Sequence, residues 1–158
     1  AAWHGFSRAA PSRKHAYTAA PPATSAALGA SSPSPDAAHL VDVIEQVIAA
    51  VLQHEELLTQ LDQQTGDGDF GVTLARGGKA VRAKLADLRA AGSVADALHA
   101  LGMELQRSMG GTSGALYGVF FLRMSDALRK APAGHQWAEA LQAGTDAIGH
   151  LGGAKLGT

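Results

Sequence analysis

Apolar side chains recur at helical spacing in the part of this sequence that follows residue 35. In the first stretch they follow the i, i+3, i+4, i+7 pattern that places them on one face of a helix: Leu40, Val43, Ile44, Val47, Ile48 and Val51. Ser34 is a good capping residue, and Asp36 adds an acidic charge where the helix dipole favours one. The pattern therefore predicts a first helix over about residues 36–53.

Two further helices are predicted before residue 91. A short second helix carries Leu57, Leu58 and Leu61 and ends by Gly66. A third, over about residues 72–90, turns three apolar side chains inward at helical spacing: Val81, Leu85 and Leu88. The pair Gly77-Gly78 lies inside this third helix, where it allows a neighbouring element to approach closely.

Three more helices are predicted in the second half. The fourth follows Ser93, which forms an imperfect capping box with Asp96. It carries four apolar side chains at helical spacing: Leu98, Leu101, Leu105 and Met109. The fifth, over about residues 115–130, is apolar on several sides and is therefore expected to be a central helix. The sixth, over about residues 136–150, follows a turn at 131–134 and ends at Gly152-Gly153.

Composition agrees with an all-α fold. The sequence is 46% hydrophobic but only 5% aromatic, and it contains no convincing strand or repeat. The predicted architecture is an antiparallel bundle of amphipathic helices with short loops. A formal net charge of −1 argues against a nucleic-acid partner, the absence of cysteine excludes thiol chemistry, and no 18-residue apolar run is present to span a membrane.

Residues 1–35 differ from the rest. They contain no acidic residue, are rich in Ala, Ser, Pro and Thr, and lack the periodicity needed to bury a core. This stretch is either a transit-peptide-like leader or an extended linker that follows an upstream domain. The first residue is Ala rather than Met, which favours the linker. The predicted organisation is thus a linker or leader over 1–35 and one helical domain over 36–158.

Two glycine-rich loops interrupt the helical pattern and carry the candidate chemistry. The first brings three carboxylates close together, Asp62, Asp67 and Asp69, and such a group favours a hard divalent cation. The second combines glycines and two hydroxyls just before a helix, where free amides favour an anion: Met109-Gly110-Gly111-Thr112-Ser113-Gly114-Ala115. Neither loop matches the EF-hand or the P-loop motif, and each loop alone is weak evidence for a binding site. Together they predict a magnesium-nucleotide site.

The two motifs in this order resemble the nucleotide-binding L domain of dihydroxyacetone kinases. The resemblance runs from about residue 37 to the end and rests on two segments: Leu61-Asp62-Gln63-Gln64-Thr65-Gly66-Asp67-Gly68-Asp69-Phe70-Gly71 and Met109-Gly110-Gly111-Thr112-Ser113-Gly114-Ala115-Leu116-Tyr117-Gly118. It implies an antiparallel barrel of eight amphipathic helices with ATP at one end, of which six are expected here.

The resemblance also implies roles for individual residues. The three aspartates are expected to bind two Mg²⁺ ions that hold the phosphates. The glycine loop is expected to wrap those phosphates through Gly110, Gly111, Thr112 and Ser113. Leu116 is expected near the adenine and Thr73 near the phosphates. The resemblance assigns no general base to this chain.

Three features depart from the family pattern. Phe70 stands where many members have His. The sequence stops at Thr158, before the family's last two helices and an arginine that covers the nucleotide, so we expect a truncated domain with exposed apolar faces that is inactive alone. The dihydroxyacetone-binding K domain is also absent.

The resemblance implies the ATP- and Mg²⁺-binding part of a dihydroxyacetone (glycerone) kinase. It would present the γ-phosphoryl group to dihydroxyacetone or glyceraldehyde on a K domain, in the same parent chain or a separate subunit, with a homodimer formed through that K domain. The alternatives are a non-catalytic nucleotide-binding or regulatory module and an L subunit of the phosphotransferase-system type with bound ADP. An FMN cyclase activity is left open. A cytoplasmic location is expected, or an organellar one if residues 1–35 are a transit peptide.

Overall fold

The computed structural model describes residues 34–130 and 137–153. Within these ranges the chain forms seven α-helices and no strand, which confirms the predicted all-α class. The helices are α1 (Pro35–Gln53), α2 (Glu55–Asp62), α3 (Phe70–Arg82), α4 (Leu85–Arg89), α5 (Val94–Met109), α6 (Gly111–Lys130) and α7 (Trp137–Gly152). The predicted turn at 131–134 and nearly all of the predicted linker or leader lie outside the described residues.

Serine caps begin two of the helices, as predicted. The Ser34 hydroxyl accepts the Ala37 amide at 3.4 Å, and the Ser93 hydroxyl accepts the Asp96 amide at 3.1 Å. Each bond satisfies a first-turn amide that has no partner within its own helix. The starts of α1 and α5 are therefore determined by local sequence.

The predicted third helix is divided into α3 and α4. The Lys84 amide donates to the Val81 carbonyl at 2.8 Å, a three-residue bond that ends the α-helical pattern. The chain then turns α4 towards α1, where Leu88 is 2% exposed and Arg89 forms ion pairs with Asp42 and Glu45. The prediction of one continuous helix is wrong because these tertiary contacts have no local signature in the sequence.

The core lies between α1, α3, α4, α5 and α6, and α7 packs against α6 and adds the buried Ala140 to the core. Five of its buried side chains lie on the apolar stripes predicted from periodicity, Ile48, Val81, Leu88, Leu98 and Leu101. Val41 and Met124 are buried with them and were not predicted. α6 contacts different neighbours with successive residues, since Phe120 lies over Gly144 of α7 and Leu122 lies against Gly102 of α5. α6 is thus packed between α5 and α7, and among the described helices α5 has the most neighbours, namely α1, α3, α4 and α6.

One flank of the bundle keeps an apolar groove of about 380 Å³ between α1, α3, α5 and α6. Val43 and Val47 of α1 line it and are 49% and 56% exposed. Both belong to the apolar stripe predicted for the first helix, so that stripe is only partly buried. Among the described helices none is both long enough and apolar enough to cross a bilayer.

Candidate functional site

The carboxylate loop, residues 62–69, joins α2 to α3 and collects the three predicted aspartates. Asp62 ends α2 and Asp69 directly precedes α3, with Asp67 between them. One carboxylate oxygen from each residue lies within 4.8 Å of those from the other two. Asp62 is half-buried, whereas Asp67 and Asp69 are exposed. The structure therefore brings all three together, and their role as metal ligands remains a prediction.

Local hydrogen bonds hold this loop in a tight turn. Asp62 Oδ2 accepts the Phe70 amide at 3.2 Å, which ties the end of α2 to the start of α3. The Gly66 amide donates to the Asp62 carbonyl at 2.6 Å, and a Cβ on Gly66 would collide with the Asp62 carboxylate. Gly68 has a φ of +78°, a conformation that glycine adopts at little cost. The two glycines thus permit the turn that gathers the carboxylates.

Electrostatic repulsion makes this cluster a natural cation site. Two unit charges at such a distance repel by about 1 kcal/mol in water and by about 4 kcal/mol at the effective dielectric constant of a protein surface. Bound divalent cations remove this repulsion, and oxygen ligands are those that Mg²⁺ prefers. The donor set of three carboxylates therefore fits Mg²⁺.

The glycine loop, residues 110–114, lies at the junction of α5 and α6. Gly110 alone separates the two helices, and α6 begins at Gly111 rather than at the predicted residue 115. The chain can reverse this quickly because Gly110 and Gly111 have φ values of +71° and +53°. Thr112 and Ser113 therefore lie in the first turn of α6, which corrects the predicted boundary.

This helix start presents backbone donors. The first bond within α6 runs from the Gly114 amide to the Gly110 carbonyl at 2.9 Å, so helix geometry leaves the amides of Gly111, Thr112 and Ser113 without a partner in the helix. A Cβ at Gly110 or Gly111 would meet nothing within 4 Å, which means that the loop borders open space. With the dipole of a 20-residue helix behind it, the loop is suited to an anion.

Thr73 and Leu116 complete the predicted set. Thr73 is 5% exposed, and its hydroxyl accepts a hydrogen bond from Arg76 at 3.1 Å. Leu116 is half-buried, and its side chain lies near Gly152 at the end of α7. Contact of either residue with a nucleotide remains a prediction.

Arg76 lies on α3, three residues after Thr73. It is exposed, but its guanidinium also donates to the Met109 carbonyl at 2.7 Å, across the interface between α3 and α5. Met109 directly precedes the glycine loop. Nothing local in the sequence signals this contact, since the two residues are separated by 33 positions.

The all-α bundle thus carries clustered carboxylates suited to a metal and a glycine-rich helix start suited to an anion, which are the elements of a nucleotide-binding domain. α3 follows the carboxylate loop, and its Arg76 and Gly77 contact Met109 at the end of α5, just before the glycine loop. The chain belongs to the DAK2 domain family, which matches residues 64–158.

Relatives with assigned names agree with this membership. The chain is 37% identical over 151 residues to the triokinase/FMN cyclase of Bos taurus, a match that covers 96% of this chain and 25% of that protein. It is 38% identical over 78 residues to the ADP-binding subunit DhaL of a PEP-dependent dihydroxyacetone kinase from Listeria innocua, covering 49% of this chain and 39% of the subunit. The chain therefore spans about a quarter of the length of the bovine relative.

A solved structure shares the fold. The crystal structure of the dihydroxyacetone kinase from C. freundii in complex with AMP-PNP and Mg²⁺ matches with a TM-score of 0.68 and 29% identity, over 85% of this chain and 25% of that one. The all-α architecture is thus that of a domain within a kinase crystallised with a nucleotide analogue and Mg²⁺.

Proposed function

We propose that this chain binds a magnesium-nucleotide between the carboxylate loop and the glycine loop and presents the γ-phosphoryl group to a triose. The observation that carries the proposal is the approach of three carboxylates from two helix ends to within 4.8 Å of one another. Family membership and the named relatives support the class of ligand. The acceptor is dihydroxyacetone or glyceraldehyde held on a separate K domain.

Each group of the site has a defined task in this proposal. Asp62, Asp67 and Asp69 hold two Mg²⁺ ions, which when bound offset the negative charge of the phosphates. The amides of Gly111, Thr112 and Ser113 donate hydrogen bonds to phosphate oxygens, and Gly110 leaves the approach open. Leu116 lies towards the adenine, and Thr73 lies on the phosphate side. Catalysis then depends on positioning and electrostatics, with no general base and no covalent intermediate on this chain.

Isothermal titration calorimetry tests the proposal. MgADP and MgATP should both bind the wild-type chain. In an Asp67→Asn/Asp69→Asn variant each affinity should fall at least about tenfold, which is about 1.4 kcal/mol of binding free energy. The substitutions keep the side-chain size but remove the charge that attracts the metal. Asp87→Asn, at an exposed position of α4 outside both loops, serves as the control and should bind both nucleotides as wild type does. Unchanged MgATP affinity in the double variant would contradict the metal assignment.

The activity itself is tested with a K domain. Wild-type chain mixed with a dihydroxyacetone-loaded K domain and MgATP either produces triose phosphate or does not. Production would exclude the purely regulatory alternative. Binding of nucleotide without production would favour a non-catalytic module, the role that Phe70 suggests.

A second candidate is the phosphotransferase-system form of the L subunit. The match to the ADP-binding subunit from Listeria innocua favours it. That form keeps its ADP and receives phosphate from a carrier protein, whereas an ATP-dependent enzyme releases ADP after each turnover. Dilution of chain loaded with labelled ADP into unlabelled ATP separates the two: rapid exchange supports the ATP-dependent kinase, and retention of the label supports the carrier-dependent subunit.

A further inference from the structure

Arg76 joins α3 to the last residue of α5 with a charged donor. Its Nη2 donates to the Met109 carbonyl at 2.7 Å and to the Thr73 hydroxyl at 3.1 Å. The Met109 carbonyl belongs to the last turn of α5, where carbonyls have no partner within the helix. A cation there also interacts favourably with the negative end of the helix dipole. The contact therefore fixes the point at which α5 ends and the glycine loop begins.

The neighbouring Gly77 secures the same residue through packing. A Cβ on Gly77 would lie 2.6 Å from Met109 Cγ, so the Met109 side chain is seated directly against the bare backbone of α3. Met109 is 2% exposed. Its side chain and its carbonyl are thus both held by α3, one by a glycine and the other by an arginine.

The same helix connects to the carboxylate loop. The Thr73 amide donates to the Asp69 carbonyl at 2.9 Å, and the Thr73 hydroxyl accepts from Arg76. A continuous series of hydrogen bonds therefore runs from Asp69 through Thr73 and Arg76 to Met109. One end of this series lies at the carboxylate loop and the other at the glycine loop.

We propose that Arg76 is a positioning residue that fixes the glycine loop relative to the carboxylate loop, so that metal and phosphate are held in register. This inference rests on the proposed function. A positioning residue differs from a purely structural helix cap in its effect on ligand affinity. A structural cap affects only the stability of the fold, whereas a positioning residue affects the affinity for a ligand that spans both loops more than the affinity for an ion that uses one loop.

Calorimetry on three variants separates these roles. Arg76→Met keeps the length and the apolar stem but removes both hydrogen bonds, and Arg76→Lys restores a charged donor. Arg82→Met, exposed on the same helix, is the matched control. Each variant is titrated with MnCl₂ alone and with MgADP, well below its unfolding temperature. Arg76→Met should bind MgADP at least about tenfold more weakly than wild type, whereas its affinity for Mn²⁺ should stay within about twofold of the wild-type value. Arg76→Lys should recover part of the lost MgADP affinity, and Arg82→Met should bind both ligands as wild type does.

Amide hydrogen exchange gives a readout that needs no ligand. In nucleotide-free Arg76→Met, the hydrogen-bonded amides of the last turn of α5, residues 106–109, and the Gly114 amide should exchange at least about fivefold faster than in wild type, because the end of α5 has lost its anchor. Wild-type exchange and wild-type MgADP affinity in this variant would overturn the inference. So would equal losses for Mn²⁺ and MgADP, or a lower unfolding temperature with unchanged affinities. If wild-type chain binds no MgADP, the proposed function fails, and the exchange rates still decide whether Arg76 positions the loop.

Discussion

Gly77 shows how one missing side chain decides the distance between two helices. The Met109 side chain occupies the space where a Cβ on Gly77 would lie. Gly149 of α7 is the opposite case, because a Cβ there would meet nothing within 4 Å. Both glycines lie inside helices, where glycine is less favourable than alanine by about 1 kcal/mol. Only tertiary contact makes the first of them necessary.

Substitution by alanine should therefore act in opposite directions at these two positions. Gly77→Ala should destabilise the fold, because overpacking costs about 1–3 kcal/mol and exceeds the gain in helix propensity. Gly149→Ala should stabilise it by up to about 1 kcal/mol. Urea unfolding followed by circular dichroism measures both. A stabilising Gly77→Ala would show that Met109 moves aside without cost.

At the scale of whole elements, a polar cluster fixes the start of α5 and links it to α6. The Ser93 hydroxyl caps the first turn and donates to Asp96 at 2.7 Å, and Arg129 of α6 pairs with the same carboxylate at 2.8 Å. The Ser93 hydrogen bond first, and Arg129 second, hold the pKa of the Asp96 carboxyl below its ordinary value. The cluster is exposed, so its contribution is modest and screened by salt.

Ser93→Ala should lower the free energy of unfolding by about 1 kcal/mol at neutral pH, because the first turn of α5 loses its cap. Ser108→Ala, on the same helix, is the control, since the Ser108 hydroxyl only donates to a carbonyl one turn earlier and caps no helix start. Urea titrations of both variants beside wild type measure the difference. Equal effects of the two substitutions would contradict the capping role.

The lowered pKa of Asp96 gives this cluster a pH dependence of known sign. A carboxyl whose pKa is lower in the folded state stabilises the fold above its unfolded-state pKa of about 3.9. That stability is lost as the pH falls through the lower, folded-state pKa. Wild type should therefore be more stable than Asp96→Asn at pH 7, and the difference should shrink as the pH falls below about 4. Urea titrations of both proteins at pH 7 and at a pH below about 4 measure the difference in the free energy of unfolding.

At the scale of the whole molecule, the proposed ligand would connect parts of the bundle that are distant in sequence. The carboxylate loop belongs to α2 and α3, and the glycine loop belongs to α5 and α6. α3 and α5 pack against each other, so a ligand held by both loops binds only the folded arrangement. Binding that is restricted to the folded state stabilises it by mass action.

Saturating MgADP should therefore raise the unfolding temperature. At a concentration about 100 times its Kd, the ligand adds about 2.7 kcal/mol, which corresponds to about 5–10 °C for a chain of this size. The shift should disappear in Asp67→Asn/Asp69→Asn and when EDTA removes the metal. Differential scanning fluorimetry measures it, and an equal shift with metal-free ADP would contradict a metal-dependent site.

The sequence by itself determined the helical class, most helix limits and the two loops. Apolar periodicity, serine caps and glycine interruptions are local signals, because each acts through neighbours within about one or two helical turns. Ser34, Ser93 and the stripe of Leu98 and Leu101 behave as that local chemistry predicts. The clustering of Asp62, Asp67 and Asp69 followed from short separation along the chain and glycines between them.

Only the tertiary structure decided how these parts are arranged. The break between α3 and α4 depends on contacts with α1, and α5 and α6 approach each other closely where Gly102 and Gly118 have no side chain. The link from Arg76 to Met109 joins residues far apart in the sequence. Such contacts follow from packing between helices, for which a single sequence carries no periodic signal. The sequence therefore predicts which residues supply the chemistry of the site, whereas the relative position of its two loops is a property of the fold.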